Sequence, residues 1–304
     1  MEDLNLIGER FDELTGIKSI LLNNKGKPLP KKERLMVSLT NCAFCNFVEQ
    51  ISNKVNKDES DEVIHIEDQG EEREILNYSS FGFVVKNRWG VLRDEQGVNY
   101  LIVSNRDVKG FEDLELEEID GFIKLILLAY KRLELEKSLI FFNVGIGSGG
   151  SMSHLHAQIA YSPRGGSEIL KNFKNKSNVI RDLELARKDG LIIEIPSNLV
   201  TDFNLEGVKC YIPKVMSKGL EFRIVGESME ANGRAIKLLI LALEGLIGEF
   251  NYNLTFFPES GICELIPILD YGTIYQRYYE KNLQLESSFE VLVKINKSLT
   301  ELKY

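Results

Sequence analysis

Histidine is nearly missing from this chain: three occur among 304 residues. Chemistry that needs an imidazole is therefore confined to His65, His154 and His156, and the second half can hold no histidine nucleophile of its own. Cysteine is scarce too. Four in a chain of this length do not make a disulfide scaffold and point to a reduced, cytoplasmic setting. No apolar run approaches the roughly 18 residues of a membrane-spanning helix. The opening residues, MEDLNLIGE, lack a basic stretch leading into an apolar one, so no secretory leader is expected. Positive charge is in deficit. With 37 Lys and Arg against 46 Asp and Glu, the net charge of −9 argues against nonspecific nucleic-acid binding, while nucleotides need only local positive groups. What remains is ordinary globular composition, 43% hydrophobic and 27% charged, with length for one large or two medium domains.

Two of the three histidines close one segment, Asn143 to Gln158, which reads NVGIGSGGSMSHLHAQ. Strand-like runs flank it, residues 139–143 before and 155–161 after. If the end of the segment is extended, His154, His156 and Gln158 share one face, since side chains alternate along a strand. The glycines at 145, 147, 149 and 150 let backbone N–H groups approach phosphate oxygens. A neutral imidazole beside such a cradle can attack phosphorus. Taken singly, a glycine-rich loop reads as a turn and a His-x-His pair as packing. The complete string is more specific.

That string resembles the histidine-triad superfamily, and within it the galactose-1-phosphate uridylyltransferase branch, whose pattern is Asn, a glycine loop with a Ser, then His-x-His-x-Gln. Asn143, Ser151, His154, His156 and Gln158 fit it, with Leu155 where proline is usual. The resemblance implies that His156 is the nucleophile, that Gln158 and Ser151 bond the α-phosphate oxygens, that the N–H groups of 147–151 stabilise developing charge, and that Asn143, Gly149 and Gly150 hold the nucleotide. Phe83 to Trp89 (FVVKNRW) resembles the family's Val-x-Asn segment, in which Asn87 and Trp89 would hold the base. Gln158 cannot titrate, so the site suits phosphate leaving groups and acceptors, and transfer over hydrolysis. The implied activity is transfer of a nucleoside monophosphate from a nucleoside diphosphate sugar to a sugar 1-phosphate or phosphate through a nucleotidyl-histidine. The alternatives are a dinucleoside polyphosphate phosphorylase or hydrolase, a nucleotide-binding protein without turnover, and a zinc-stabilised interaction module. Galactose specificity is not implied, because the residues that select it have no counterpart here.

Cys42 and Cys45 have the spacing of half a zinc knuckle. The same resemblance implies a structural zinc held by Cys42, Cys45 and His154, with Asp107 at the position of the family's remaining histidine. His65 is the rival ligand. Such a metal would fix His154 and thereby position His156.

Strand-like runs at 81–86 and 98–104, a helical pattern from Ile119 to Leu133, and the two strands around the glycine loop recur in the second half as runs at 208–212 and 220–225, a helix over 230–250, and runs at 252–257 and 262–268. The expected fold is α+β: two tandem histidine-triad-like units, each a mainly antiparallel sheet with a long helix packed on it. The expected domains are 1–190, catalytic, and 191–304, degenerate. Residues 52–74 read as an exposed polar excursion and 162–190 as a polar connector with some helix. A homodimer is expected, since in the resembled family the C-terminal half reaches the sugar site of the neighbouring chain.

Overall fold

In the computed structural model, residues 6–11, 18–22, 42–55, 64–87, 98–132, 138–150, 152–161, 168–214, 220–268, 282–284 and 288–302 are described. They group into two units: Met36–Gly166, and Ser167–Tyr304 together with Met1–Leu35. The latter takes in the antiparallel strands Leu6–Phe11 (β1) and Lys18–Leu22 (β2).

The first unit opens with the helix Ala43–Val55 (α1). Ile64–Asp68 (β3), Glu71–Ser79 (β4), Gly82–Lys86 (β5) and Val98–Ser104 (β6) follow. The helix Leu116–Arg132 (α2) leads to Ser138–Val144 (β7) and His156–Tyr161 (β8). The strands form one antiparallel sheet in the order β3-β4-β5-β6-β8-β7. In α2, Glu117 and Glu118 occupy the first turn and Lys131 and Arg132 the last, matching the helix dipole, while Ile119, Phe122, Ile123 and Ile126 are buried.

Alternation along β5 sorts the two faces of this sheet. A Cβ on Gly82 would come 3.2 Å from Leu125 and 3.3 Å from Phe122, so that face lies under α2. Phe83 and Val85 point the other way and join Ile66, Ile75, Leu101 and Val103 in a core with Phe44, Phe47 and Ile51 of α1. These α1 positions fall at i, i+3 and i+7, which is one stripe of a helix.

In the second unit the helices Glu168–Lys174 (α3), Lys176–Lys188 (α4) and Ser197–Asp202 (α5) precede Lys209–Tyr211 (β9) and Phe222–Val225 (β10). The helix Met229–Ile247 (α6), the strands Asn251–Phe257 (β11), Ile262–Ile268 (β12) and Asn282–Gln284 (β13), and the helix Ser288–Glu301 (α7) complete it. Ser228 caps α6 by accepting the Ala231 N–H, and Gly248 ends it at φ 76°. The sheet runs β9-β10-β12-β11, the same order as β5-β6-β8-β7, with the long helix again between the second and third strands in sequence. β13 lies parallel on β2. Pro267 in β12 pairs with Tyr252 but lies beyond the residues that pair with β10, so its missing N–H breaks no bond there.

The fold is α+β, with the expected repeat of two strands, a helix and two strands in each half. One expectation is corrected. Residues 52–74 are not a polar excursion: they contain the end of α1, β3 and the start of β4. The strands escaped notice because most of their residues are half-exposed, so polar side chains interrupt the apolar pattern. The connector 162–190 carries the expected helix, in α3 and α4. No described helix is long and apolar enough to cross a membrane.

Candidate active site

The glycine loop is shaped by its own backbone. Gly145 and Gly149 take φ 83° and 90°, conformations that side-chain-bearing residues rarely adopt. A short turn over Ile146–Ser148 lies between them. The N–H groups of Ser148 and Gly150 both bond the Gly145 carbonyl at 3.2 Å, and the Ser148 hydroxyl donates to it at 2.6 Å. These two N–H groups are thus engaged inside the loop, which narrows the expected cradle of 147–151. Gly150 is buried, and a Cβ there would meet the Asn143 carbonyl oxygen at 2.6 Å. Gly149 is exposed and Asn143 half-buried near the end of β7. Ser151 and Trp89 lie outside the described residues.

His154 is not on the strand. β8 begins at His156, and residues 152–155 form an irregular lead-in. His154 therefore does not share the strand face expected for it with His156 and Gln158. The lead-in is strapped at Leu155, whose N–H donates to Val108 O at 2.7 Å and whose carbonyl accepts from Ser104 N–H at 3.1 Å. A proline at 155 has no N–H to make the first bond.

The bend sends the His154 ring, almost fully buried, toward the start of α1. Its Nε2–H donates to Ser104 O at 2.7 Å, which leaves the Nδ1 lone pair facing Cys42 Sγ at 3.6 Å, Cys45 Sγ at 3.4 Å and Asp107 Oδ1 at 3.4 Å. The four donor atoms lie within 4.8 Å of one another. Ligand atoms around a tetrahedral zinc, with bonds of about 2.0–2.3 Å, stand roughly 3.3–3.8 Å apart. The donor set and the backbone anchor on the second imidazole nitrogen fit that metal. Burial, then Cys42 and Asp107, push the Cys45 thiol up to about 12, a penalty that a cation reverses. His65 is not in the cluster. It lies on β3 with its side chain 40% exposed, 3.9 Å from Glu72.

His156 is buried, and its Nδ1–H donates to the backbone carbonyl of His154 at 2.9 Å. That bond fixes the tautomer with the lone pair on Nε2. Burial lowers its pKa, as it does for His154, so both rings are neutral near neutral pH. The Phe44 ring stands edge-on to both imidazoles, at 5.2 Å from His156 and 5.8 Å from His154. Gln158, two residues along β8, is half-buried and pairs with Leu101 and Phe141. Its Oε1 accepts from Asn99 Nδ2 at 3.0 Å. Asn87 lies one residue past the end of β5, its N–H bonded to Asn99 O at 2.7 Å. Phe44, Ser104 and Asn99 were missed by sequence reasoning. Asn99 alone had a signal, a polar residue inside the apolar run VNYLIV.

No protein-family model and no characterised protein matches the sequence. Solved structures do match over nearly the whole chain. An ADP-glucose phosphorylase from Arabidopsis thaliana with bound ADP-glucose aligns at a TM-score of 0.62, with 14% identity, covering 97% of this chain and 98% of its own. A GalT-like protein from the same plant aligns at 0.60, with 15% identity, over 95% and 98%. A uridylyltransferase aligns at 0.57, with 15% identity, over 97% and 99%. The chain has the GalT-like fold. At these identities the GalT-like likeness establishes the fold, and the chemistry must come from the side chains.

Proposed function

We propose that this protein is a nucleotidyltransferase that takes a nucleoside monophosphate from a nucleoside diphosphate sugar and passes it to phosphate or a sugar 1-phosphate. The observation that carries this reading is the neutral His156, locked by the His154 carbonyl with its Nε2 lone pair available and Gln158 one strand step away. The structural neighbours add support, since one is described as an ADP-glucose phosphorylase with ADP-glucose bound and another as a uridylyltransferase.

In the first step His156 Nε2 attacks the α-phosphorus. A P–N bond forms, and the bond to the sugar 1-phosphate leaving group breaks. Gln158 and Ser151 bond the α-phosphate oxygens where negative charge concentrates. Asn143 and Gly149 line the approach, and Asn87 and Trp89 hold the nucleoside. In the second step an acceptor phosphate oxygen attacks phosphorus and the P–N bond breaks, restoring neutral His156. Neither step needs a titrating group at 158, because both leaving group and acceptor are phosphates. Cys42, Cys45, Asp107 and His154 would hold a zinc whose contribution is structural. These residues keep the His154 carbonyl where His156 needs it. Gly150 acts by closing the loop.

We also propose that the two halves, 1–190 and 191–304, arose by tandem duplication, although the compact units divide between 166 and 167 and the second takes in residues 1–35, and that the chain works as a cytoplasmic homodimer. Light scattering at low micromolar concentration tests the dimer, and a fully active monomer mass contradicts it. Product analysis with ADP-glucose or UDP-glucose and phosphate tests the reaction. Sugar 1-phosphate and nucleoside diphosphate are expected; nucleoside monophosphate alone would indicate hydrolysis and overturn the assignment.

A further inference from the structure

A glutamine that helps an anion must offer its NH2 group and turn its oxygen away. The carboxamide is nearly symmetric in shape, so nothing in β8 itself decides which end faces the substrate. The neighbouring strand decides it. Asn99 lies on β6 in the row next to Gln158: Asn99 pairs with Ala160 and Leu101 with Gln158, so Asn99 and Gln158 share one face of the sheet. Asn99 is only 2% exposed, and its Nδ2 donates to Gln158 Oε1 at 3.0 Å. With Oε1 engaged, the NH2 of Gln158 is the end left for substrate.

We propose that Asn99 is a positioning residue that holds Gln158 as a hydrogen-bond donor to the α-phosphate, the two amides forming a relay. The inference rests on the nucleotidyl-transfer reading of His156. The relay has a direction. If both amides turned over, Gln158 would present a carbonyl oxygen to an anion, and the pair would repel what it is placed to bind. In the observed direction the far end is Asn99 Oδ1, which is buried and has no hydrogen-bond partner among the described residues. A buried acceptor without a donor is unfavourable.

The test uses two single substitutions and one double. Asn99→Asp replaces the donor by a second acceptor, so Gln158 must turn its NH2 inward and its oxygen toward the phosphate. Asn99→Leu keeps the volume and removes the hydrogen bond without adding charge. With ADP-glucose and UDP-glucose as probes, the rate of nucleotide attachment to the protein should fall about 100-fold for Asn99→Asp, the effect of losing one donor aimed at developing charge. A loss of about 10-fold is expected for Asn99→Leu, with the melting curve retained. In a Gln158→Ala background the same changes at 99 should alter the rate by less than about twofold, because Asn99 then has nothing to orient. Full-rate Asn99→Asp, or effects at 99 and 158 that simply multiply, would overturn the relay. A wild-type protein that takes no label from either probe overturns the transfer reading instead. The relay is then judged from the affinity for AMP and UMP by calorimetry, which Asn99→Asp should weaken and which an absent relay leaves unchanged.

Discussion

β8 and β12 occupy the same place in sheets of the same strand order, and their first and third residues tell the two units apart. In β8 these are His156 and Gln158; in β12 they are Ile262 and Glu264. In the second unit Cys263 faces α6 through Asn232, so Glu264 points to the opposite side of its sheet. There it stands across from Arg223, which is fully buried. The Arg223 guanidinium bonds Glu221 at 2.8 Å and Asp182 of α4 at 2.9 Å, and lies 5.3 Å over the Phe173 ring of α3. Tyr211 donates to the same Asp182 carboxylate at 2.5 Å. The second unit has thus turned the face that carries imidazole and amide in the first into a closed ion network roofed by α3 and α4. A face whose charges satisfy one another is a structural element. The corresponding face of the first unit carries a neutral imidazole and an amide in place of charges.

The comparison is sharpened by removing what distinguishes each face. The largest effect is expected at Arg223. Substitution by Leu leaves Glu221 buried and Asp182 half-buried without their cation and should lower stability by about 3–5 kcal/mol. Urea unfolding measures this, while nucleotide labelling below the melting temperature should be unchanged. Next come two glycines whose added Cβ would each meet a carbonyl oxygen at 2.6 Å, Gly150 against Asn143 and Gly261 against Gly226. Alanine at either should cost about 1–3 kcal/mol of stability. Only Gly150→Ala should also slow labelling, because only its loop leads into His156. Equal effects on labelling would break the distinction between the units. Asp107 and His65 form the smallest contrast. Asp107→Ala should weaken zinc binding at least about tenfold in competition with a chromophoric chelator. His65→Ala should leave it unchanged. Metal analysis of protein purified without added zinc should give one zinc per chain, and a zinc-free, folded and active protein contradicts the site.

The periodic elements were legible in the sequence. The apolar spacing from Ile119 to Tyr130 and from Ala235 to Leu243 marks α2 and α6, and the β-branched runs mark β5, β6, β11 and β12. α1 was not, since its core stripe of Phe44, Phe47 and Ile51 is interrupted by cysteines and by Glu49 and Gln50, and its burial depends on a sheet formed later in the chain. The grouping of Asp107 with Cys42, Cys45 and His154 came from a family resemblance. No local spacing reports which loop folds onto which helix. His154 was placed on a strand because the alternation of His156 and Gln158 was extended backward by one step. The bend that moves it off the strand comes from the tertiary bonds of Leu155 to Val108 and Ser104. Asn99 escaped because its role lies entirely in a partner on another strand.

Everything proposed for the first unit depends on His156 carrying the nucleotide. The direct measurement is intact-protein mass after incubation with ADP-glucose or UDP-glucose, followed by peptide mapping of the added mass. The wild-type protein should gain one nucleotidyl group on His156, and His156→Gly should gain none while keeping its melting curve. Label found on His154, or label surviving in His156→Gly, would contradict the account.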